Sequence, residues 1–73
     1  MVLLSYVNAW DIILKANRKK MISNRKLFND LKKKELIRES FDNFISMEFP
    51  HGTDEDELIE FFNGDDKYIR EHI

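Results

Sequence analysis

The chain has 73 residues, of which 42% are hydrophobic, 12% aromatic and 36% charged, with no cysteine. That length holds one small domain and excludes multidomain enzymes and Rossmann, TIM-barrel or kinase-sized scaffolds, while the missing thiols exclude disulfides, Cys-zinc sites and iron–sulfur clusters. The net charge of −2 hides a split: residues 1–38 carry ten Lys/Arg against three acids (+7), and residues 39–73 carry eleven acids against two bases (−9).

Taken in chain order, Leu3, Tyr6, Val7, Trp10, Ile13 and Leu14 recur with the i, i+3, i+4, i+7 spacing of one helical face. This predicts a first helix over residues 3–16. The apolar-free stretch Asn17-Arg18-Lys19-Lys20 ends it, and Ser23 or Asn24 can cap a second short helix presenting Leu27, Phe28 and Leu31. Lys32-Lys33-Lys34 either continues that helix or breaks before a third, predicted over residues 35–47, in which Ile37, Phe41, Phe44 and Ile45 share a face.

Phe49-Pro50-His51-Gly52 stops the third helix. The residue before a proline is pushed out of the α region, and glycine takes the positive φ that a turn demands. Thr53 then opens a capping-box-like start, Thr53-Asp54-Glu55-Asp56-Glu57, whose carboxylates meet the positive end of a fourth helix carrying Leu58, Phe61 and Phe62. Asn63-Gly64 ends it, and Asp65 or Asp66 caps a final turn or two with Tyr68, Ile69 and Ile73. No segment alternates with period two. The chain therefore reads as a single all-α domain over residues 1–73, a compact bundle of four or five short helices.

The expected core is Val7, Trp10, Leu14, Phe28, Leu31, Phe41, Phe44, Phe49, Leu58, Phe61 and Phe62. Leu4, Ile12, Ile22 and Ile59 lie off these stripes and are expected to be exposed. The N-terminal Met1-Val2-Leu3-Leu4 is interrupted by polar residues and has neither a basic n-region nor a cleavage site, so no signal peptide is read there. No apolar run approaches the ~20 residues that cross a bilayer, and the expected location is the cytoplasm.

Chemistry-bearing patterns are sparse. The acidic run at residues 54–57 passes straight into Leu58 and Ile59, whereas a calcium loop of the EF-hand type needs a glycine at its sixth position. His51 and His72 fall in no metal-ligand spacing, no serine sits in a nucleophile elbow, and two glycines make no phosphate loop. The reading is non-enzymatic, with no cofactor, metal or small-molecule substrate. What remains is charge. Arg18, Lys19, Lys20, Arg25 and Lys26 form a candidate basic contact surface, and Asp54, Glu55, Asp56, Glu57 and Glu60 a candidate acidic one. The expected partner is a protein, either a second copy or an unknown one, unless the two halves neutralise each other within the domain. The alternative is a nucleic-acid-binding or regulatory protein in which the basic stretch of residues 15–34 neutralises phosphates. Trp10, spaced with Val7 and Leu14, reads as core and not as a base-stacking platform.

Residues 49–62, with Phe49-Pro50, Thr53-Asp54, Glu57-Leu58 and Phe61-Phe62, followed by Tyr68-Ile69, resemble the YozE-like family of small bacterial proteins. That family combines a Phe-Pro turn with a Thr-Asp-x-x-Glu-Ile-x-x-Tyr-Leu helix and a later Tyr-Leu pair. The resemblance covers the C-terminal part of the chain. It implies a SAM-like helical domain of bacterial or phage type, without established catalytic residues to carry over.

Overall fold

A computed structural model describes residues 9–73, and among these it contains five helices and no strand: α1 (Ala9–Arg18), α2 (Arg25–Lys32), α3 (Ile37–Glu48), α4 (Glu55–Phe62) and α5 (Asp66–His72). The all-α class read from the periodicities is the one found. The predicted start of the first helix, Leu4 and the core candidate Val7 lie outside the described residues.

Helix α1 runs two residues beyond its predicted end, to Arg18. Lys20 takes a φ of 61°, a conformation usually left to glycine. In that position the Lys20 N–H donates to the Asn17 carbonyl at 3.0 Å and the Met21 N–H to the Ala16 carbonyl at 2.9 Å. Together these bonds close the helix in a Schellman motif. Asn24, not Ser23, caps α2, its side chain accepting from the Leu27 N–H at 3.1 Å. The triple lysine breaks the chain: the Lys33 and Lys34 N–H groups fold back on Asp30 and Leu31, and α3 begins at Ile37, two residues later than predicted.

Phe49 leaves the helical region ahead of Pro50, and Gly52, at a φ of 97°, donates back to the Phe49 carbonyl at 2.9 Å. The expected turn is present. The cap of α4 is shifted by one residue, because the extended Asp54, not Thr53, accepts from the Glu57 N–H at 2.7 Å. Buried Thr53 instead donates its hydroxyl to the Glu57 carboxylate at 2.5 Å, which ties the helix's first turn to the incoming loop. Asp65 caps α5 as expected, accepting from the Lys67 and Tyr68 N–H groups.

Helix α1 packs on α3 and α4, and α2 on α5. At the centre stands an aromatic box: Trp10 stacks on Phe28 (5.3 Å between centroids) and meets Phe41 edge-on (5.2 Å), and Phe62 closes the ring against Phe41 (5.9 Å) and Phe28 (6.4 Å). Such offset and edge-on pairs add roughly 0.5–1.5 kcal/mol each beyond the area they bury. Ile13, Leu27, Leu31, Ile45, Leu58 and Ile69 fill the space around the box.

Two expectations about burial are corrected. Leu14, Phe49 and Phe61 are only partly buried, flanking the core instead of filling it. Ile22 and Ile59, expected outside, are 3% and 7% exposed, and Ile12 is half-buried. The Schellman turn delivers Ile22 inward, and α4 spreads Leu58, Ile59 and Phe62 across the contact with its neighbours while Phe61 serves a second aromatic cluster.

Candidate interaction surface

Arg18 is the last residue of α1, Lys19 and Lys20 form the turn, and Arg25 and Lys26 open α2; all five are exposed. The turn also holds out Met21, 44% exposed, so an apolar side chain projects among the cations. The salt bridges among the described residues are Arg38–Asp11, Arg70–Asp30 and Arg70–Asp66, so none of the five cations has a carboxylate within 4.0 Å. Arg25 and Lys26 stand in the first turn of α2, where no acid is present to balance them. Cations at that end of a helix face its positive pole. Arg18 also lines a cleft of about 290 Å³ with Leu14, Asn17, Phe28 and Lys32, and the Lys32 ammonium lies 5.9 Å from the Phe28 ring centre. The Asn17 side-chain oxygen is buried and has no hydrogen-bond partner among the described residues.

The five acids of the second candidate surface do different work. Asp54 is the cap of α4 and Glu57 holds Thr53, while Asp56 and Glu60 are exposed and Glu55 is partly so. Only Glu57 and Glu60 of the five reach a groove of about 390 Å³, whose other walls are Phe49, Phe61, Gly64, Asp65, Tyr68 and Ile69. Its aromatic walls are linked through buried Phe44, which does not line it: Phe49 meets Phe61 at 5.3 Å, Phe61 meets Phe44 at 5.9 Å, and Phe44 meets Tyr68 at 6.0 Å. The Tyr68 hydroxyl donates to the Glu48 carboxylate at 2.6 Å. That bond holds the phenol's pKa above its ordinary value, with burial and the Glu48 charge adding to it.

Both histidines are placed apart. His51 is exposed in the turn after α3, whereas His72 on α5 lies against Tyr68 (4.3 Å between centroids) and Phe44 (6.1 Å). Its Nδ1 is 2.8 Å from the Tyr68 carbonyl oxygen. Among the described residues no group of three or more His, Asp or Glu is arranged to hold a metal ion.

Two acids outside both candidate surfaces hold the helices together, and sequence reasoning missed them. Asp42, 8% exposed on α3, accepts from the Trp10 N–H in the first turn of α1 at 2.9 Å. Burial raises its pKa, against the pull of that N–H and of nearby Arg38. Its register was a usable signal, because position 42 adjoins Phe41 and precedes Ile45 by three on the buried face. Asp30 on α2 takes a 2.6 Å bond from the Arg70 guanidinium of α5, which lowers its pKa.

The basic turn is fastened to the C-terminal end of α4. The Ser23 N–H donates to Asn63 Oδ1 at 3.2 Å and Asn63 Nδ2 donates to the Met21 carbonyl at 3.4 Å. The acidic run at residues 54–57 stands at the other end of the same helix. Eight helical residues span about 12 Å, longer than the ~8 Å over which physiological salt screens exposed charges. Lys67 and Arg70, the two cations of the acidic half, sit on α5, and Arg70 is spent on Asp30 and Asp66. The opposite charges are thus held apart along α4 and do not neutralise each other by direct pairing among the described residues. Among the described residues no helix is long and apolar enough to cross a membrane. Comparison with known proteins found no matching family model, no matching characterised sequence and no matching solved structure.

Proposed function

We propose that this chain is a small, non-enzymatic protein-interaction module of bacterial or phage type, acting in the cytoplasm, whose association runs on its separated charges. One observation carries this reading: five exposed cations cluster at one turn with no carboxylate within 4.0 Å among the described residues, while the unspent acids of α4 lie elsewhere. A solvated charged face serving only solubility has no need to place Arg25 and Lys26 against the positive pole of α2. The resemblance of residues 49–62 to the YozE-like, SAM-like helical family points the same way, since that family brings no catalytic residues with it.

Backbone amide spectra of the labelled protein, titrated at low salt with a lysine-rich and a glutamate-rich peptide, test the proposal. The lysine-rich peptide is expected to shift residues of α4 and α5, and the glutamate-rich peptide residues 18–26. Silence toward both at millimolar peptide overturns it.

A nucleic-acid reading is favoured by one specific arrangement, the convergence of Arg18 and Lys32 on the cleft beside Asn17. If those cations meet phosphates, duplex DNA binding weakens with salt at a slope of about −0.9 per phosphate neutralised. A mobility shift abolished in Lys19→Glu/Lys20→Glu would place that reading first.

A further inference from the structure

Resting on the reading of a charge-driven module, we infer that the aromatic groove between α4 and α5 is the receptor for the basic turn of a second copy of this chain, so that molecules associate head to tail. The two surfaces match in chemistry. The groove offers aromatic walls, Phe49, Phe61 and Tyr68, under a rim of carboxylates, Glu57, Glu60 and Asp65. The turn offers an exposed apolar side chain, Met21, which directly follows the exposed Lys19 and Lys20 in the chain and precedes Arg25 by four residues. A thioether is a favourable neighbour for an aromatic edge, and ammonium groups flanking it meet the carboxylate rim as it enters.

A molecule cannot satisfy its own groove. Asn63 clamps the turn to one side of α4, whereas residues 57, 60, 61 and 64 point to the groove from a side roughly 110° around the same helix at 100° per residue. Donor and receptor are therefore both presented outward by one rigid element, facing different directions. A contact between unlike patches of this kind is heterologous and adds copies one after another instead of closing as a two-fold dimer. The groove is small, so the contact is of the weak, transient class and depends on low salt.

The test uses the full chain and two variants that spare every cap and tether described above. Glu60→Lys damages the groove rim, and Lys19→Glu/Met21→Ser damages the turn, since the backbone bonds of Lys19 and Met21 do not involve the altered side chains. Circular dichroism confirms that both remain helical. Sedimentation equilibrium of the parent at about 50 mM salt is expected to show a mass that rises with concentration up to about 1 mM without levelling at the dimer, and that returns to monomer at about 500 mM salt. Each variant alone stays monomeric. Mixed, they form a one-to-one pair and nothing larger, because one retains the groove and the other the turn.

A monomeric parent under these conditions overturns the inference, as does association that the variants leave unchanged or a mixture that fails to pair. A synthetic peptide of residues 18–26 separates this failure from failure of the broader reading. If the parent is monomeric and a lysine-rich peptide of unrelated sequence shifts the groove as strongly as this one, the groove serves another cationic protein and the second copy is excluded. If neither peptide shifts it, both the inference and the groove's part in the proposed function fall.

Discussion

Replacing Lys20 by glycine is expected to stabilise the fold while weakening whatever the basic turn binds. Lys20 closes α1 with a φ of 61°, and its backbone makes the 3.0 Å bond to Asn17 that lets Met21 bond Ala16 behind it. A side chain in the left-handed region costs about 1–2 kcal/mol through the approach of Cβ to the backbone. Glycine removes that cost but loses more freedom on folding, a penalty of about 0.5–1 kcal/mol. The net gain is about 0.5–1 kcal/mol, which in a domain of this size raises the melting temperature by roughly 2–8 °C. Thermal unfolding followed by circular dichroism measures it. Lys20→Ala separates the backbone effect from relief of repulsion among neighbouring cations, because it removes the charge and keeps Cβ. Equal melting temperatures for the glycine and alanine variants would refute the argument from backbone geometry.

Further outcomes follow from the same contacts. Phe41→Ala opens the aromatic box against both Trp10 and Phe62 and is expected to cost about 3–5 kcal/mol, comparable with the whole stability of so small a domain; a cooperative melt near that of the parent counts against the box as the core. Phe44→Ala, beside the half-exposed Phe61 and Tyr68, is expected to cost less, as chemical denaturation of the two variants side by side will show. Because burial raises the pKa of Asp42, the folded state binds its proton more tightly than the unfolded chain, so this group's contribution is most favourable at low pH and declines as pH rises through the raised value. Asp42→Asn should therefore compare better with the parent at pH 7 than at pH 3, and the opposite order in urea melts would sink the assignment. Asp30 has the reverse sign: Arg70 lowers its pKa, its contribution is present above the ordinary carboxylate value, and it fades as pH falls through the lowered one, so Asp30→Asn should be more damaging at pH 7 than at pH 2.

Features that depend on neighbouring residues were legible in the sequence. Asn24, the Phe49–Gly52 turn and Asp65 act on backbone groups within a few positions, and their residue types announce the conformations they take. The stretch in which α1 ends was legible, but its Schellman turn was not, because a lysine stands where glycine would have marked it. The shift of the α4 cap from Thr53 to Asp54 reflects two adjacent residues that both cap well; burial of Thr53 decides between them. Ile22 and Ile59 are buried by packing that their local stripes do not encode. The tethers that place the candidate surfaces span 32 residues from Trp10 to Asp42 and 40 from Ser23 to Asn63, and no local pattern reports such distances. Charge clustering was visible in the sequence, whereas the separation of the clusters along α4 was not.

The two charged regions differ in how much of their composition the fold explains. At the N-terminus of α4, Asp54 caps and Glu57 binds Thr53, and any carboxylate in that first turn meets the helix's positive pole. An acidic run there stabilises the domain whether or not anything binds it. The basic turn has a comparable justification only in part. Lys20 occupies a conformation that glycine would adopt more cheaply, and Arg25 and Lys26 stand at the wrong pole of α2 with no acid in its first turn. Of the five cations, Arg18, Lys19 and Lys20 stand at the C-terminal end of α1, where a helix favours positive charge, whereas Arg25 and Lys26 do not. Charge retained against local stability is better explained by something outside the domain than by the domain itself. The basic turn is therefore the surface on which substitutions should separate binding from folding: neutral or stabilising for the fold, damaging for the partner.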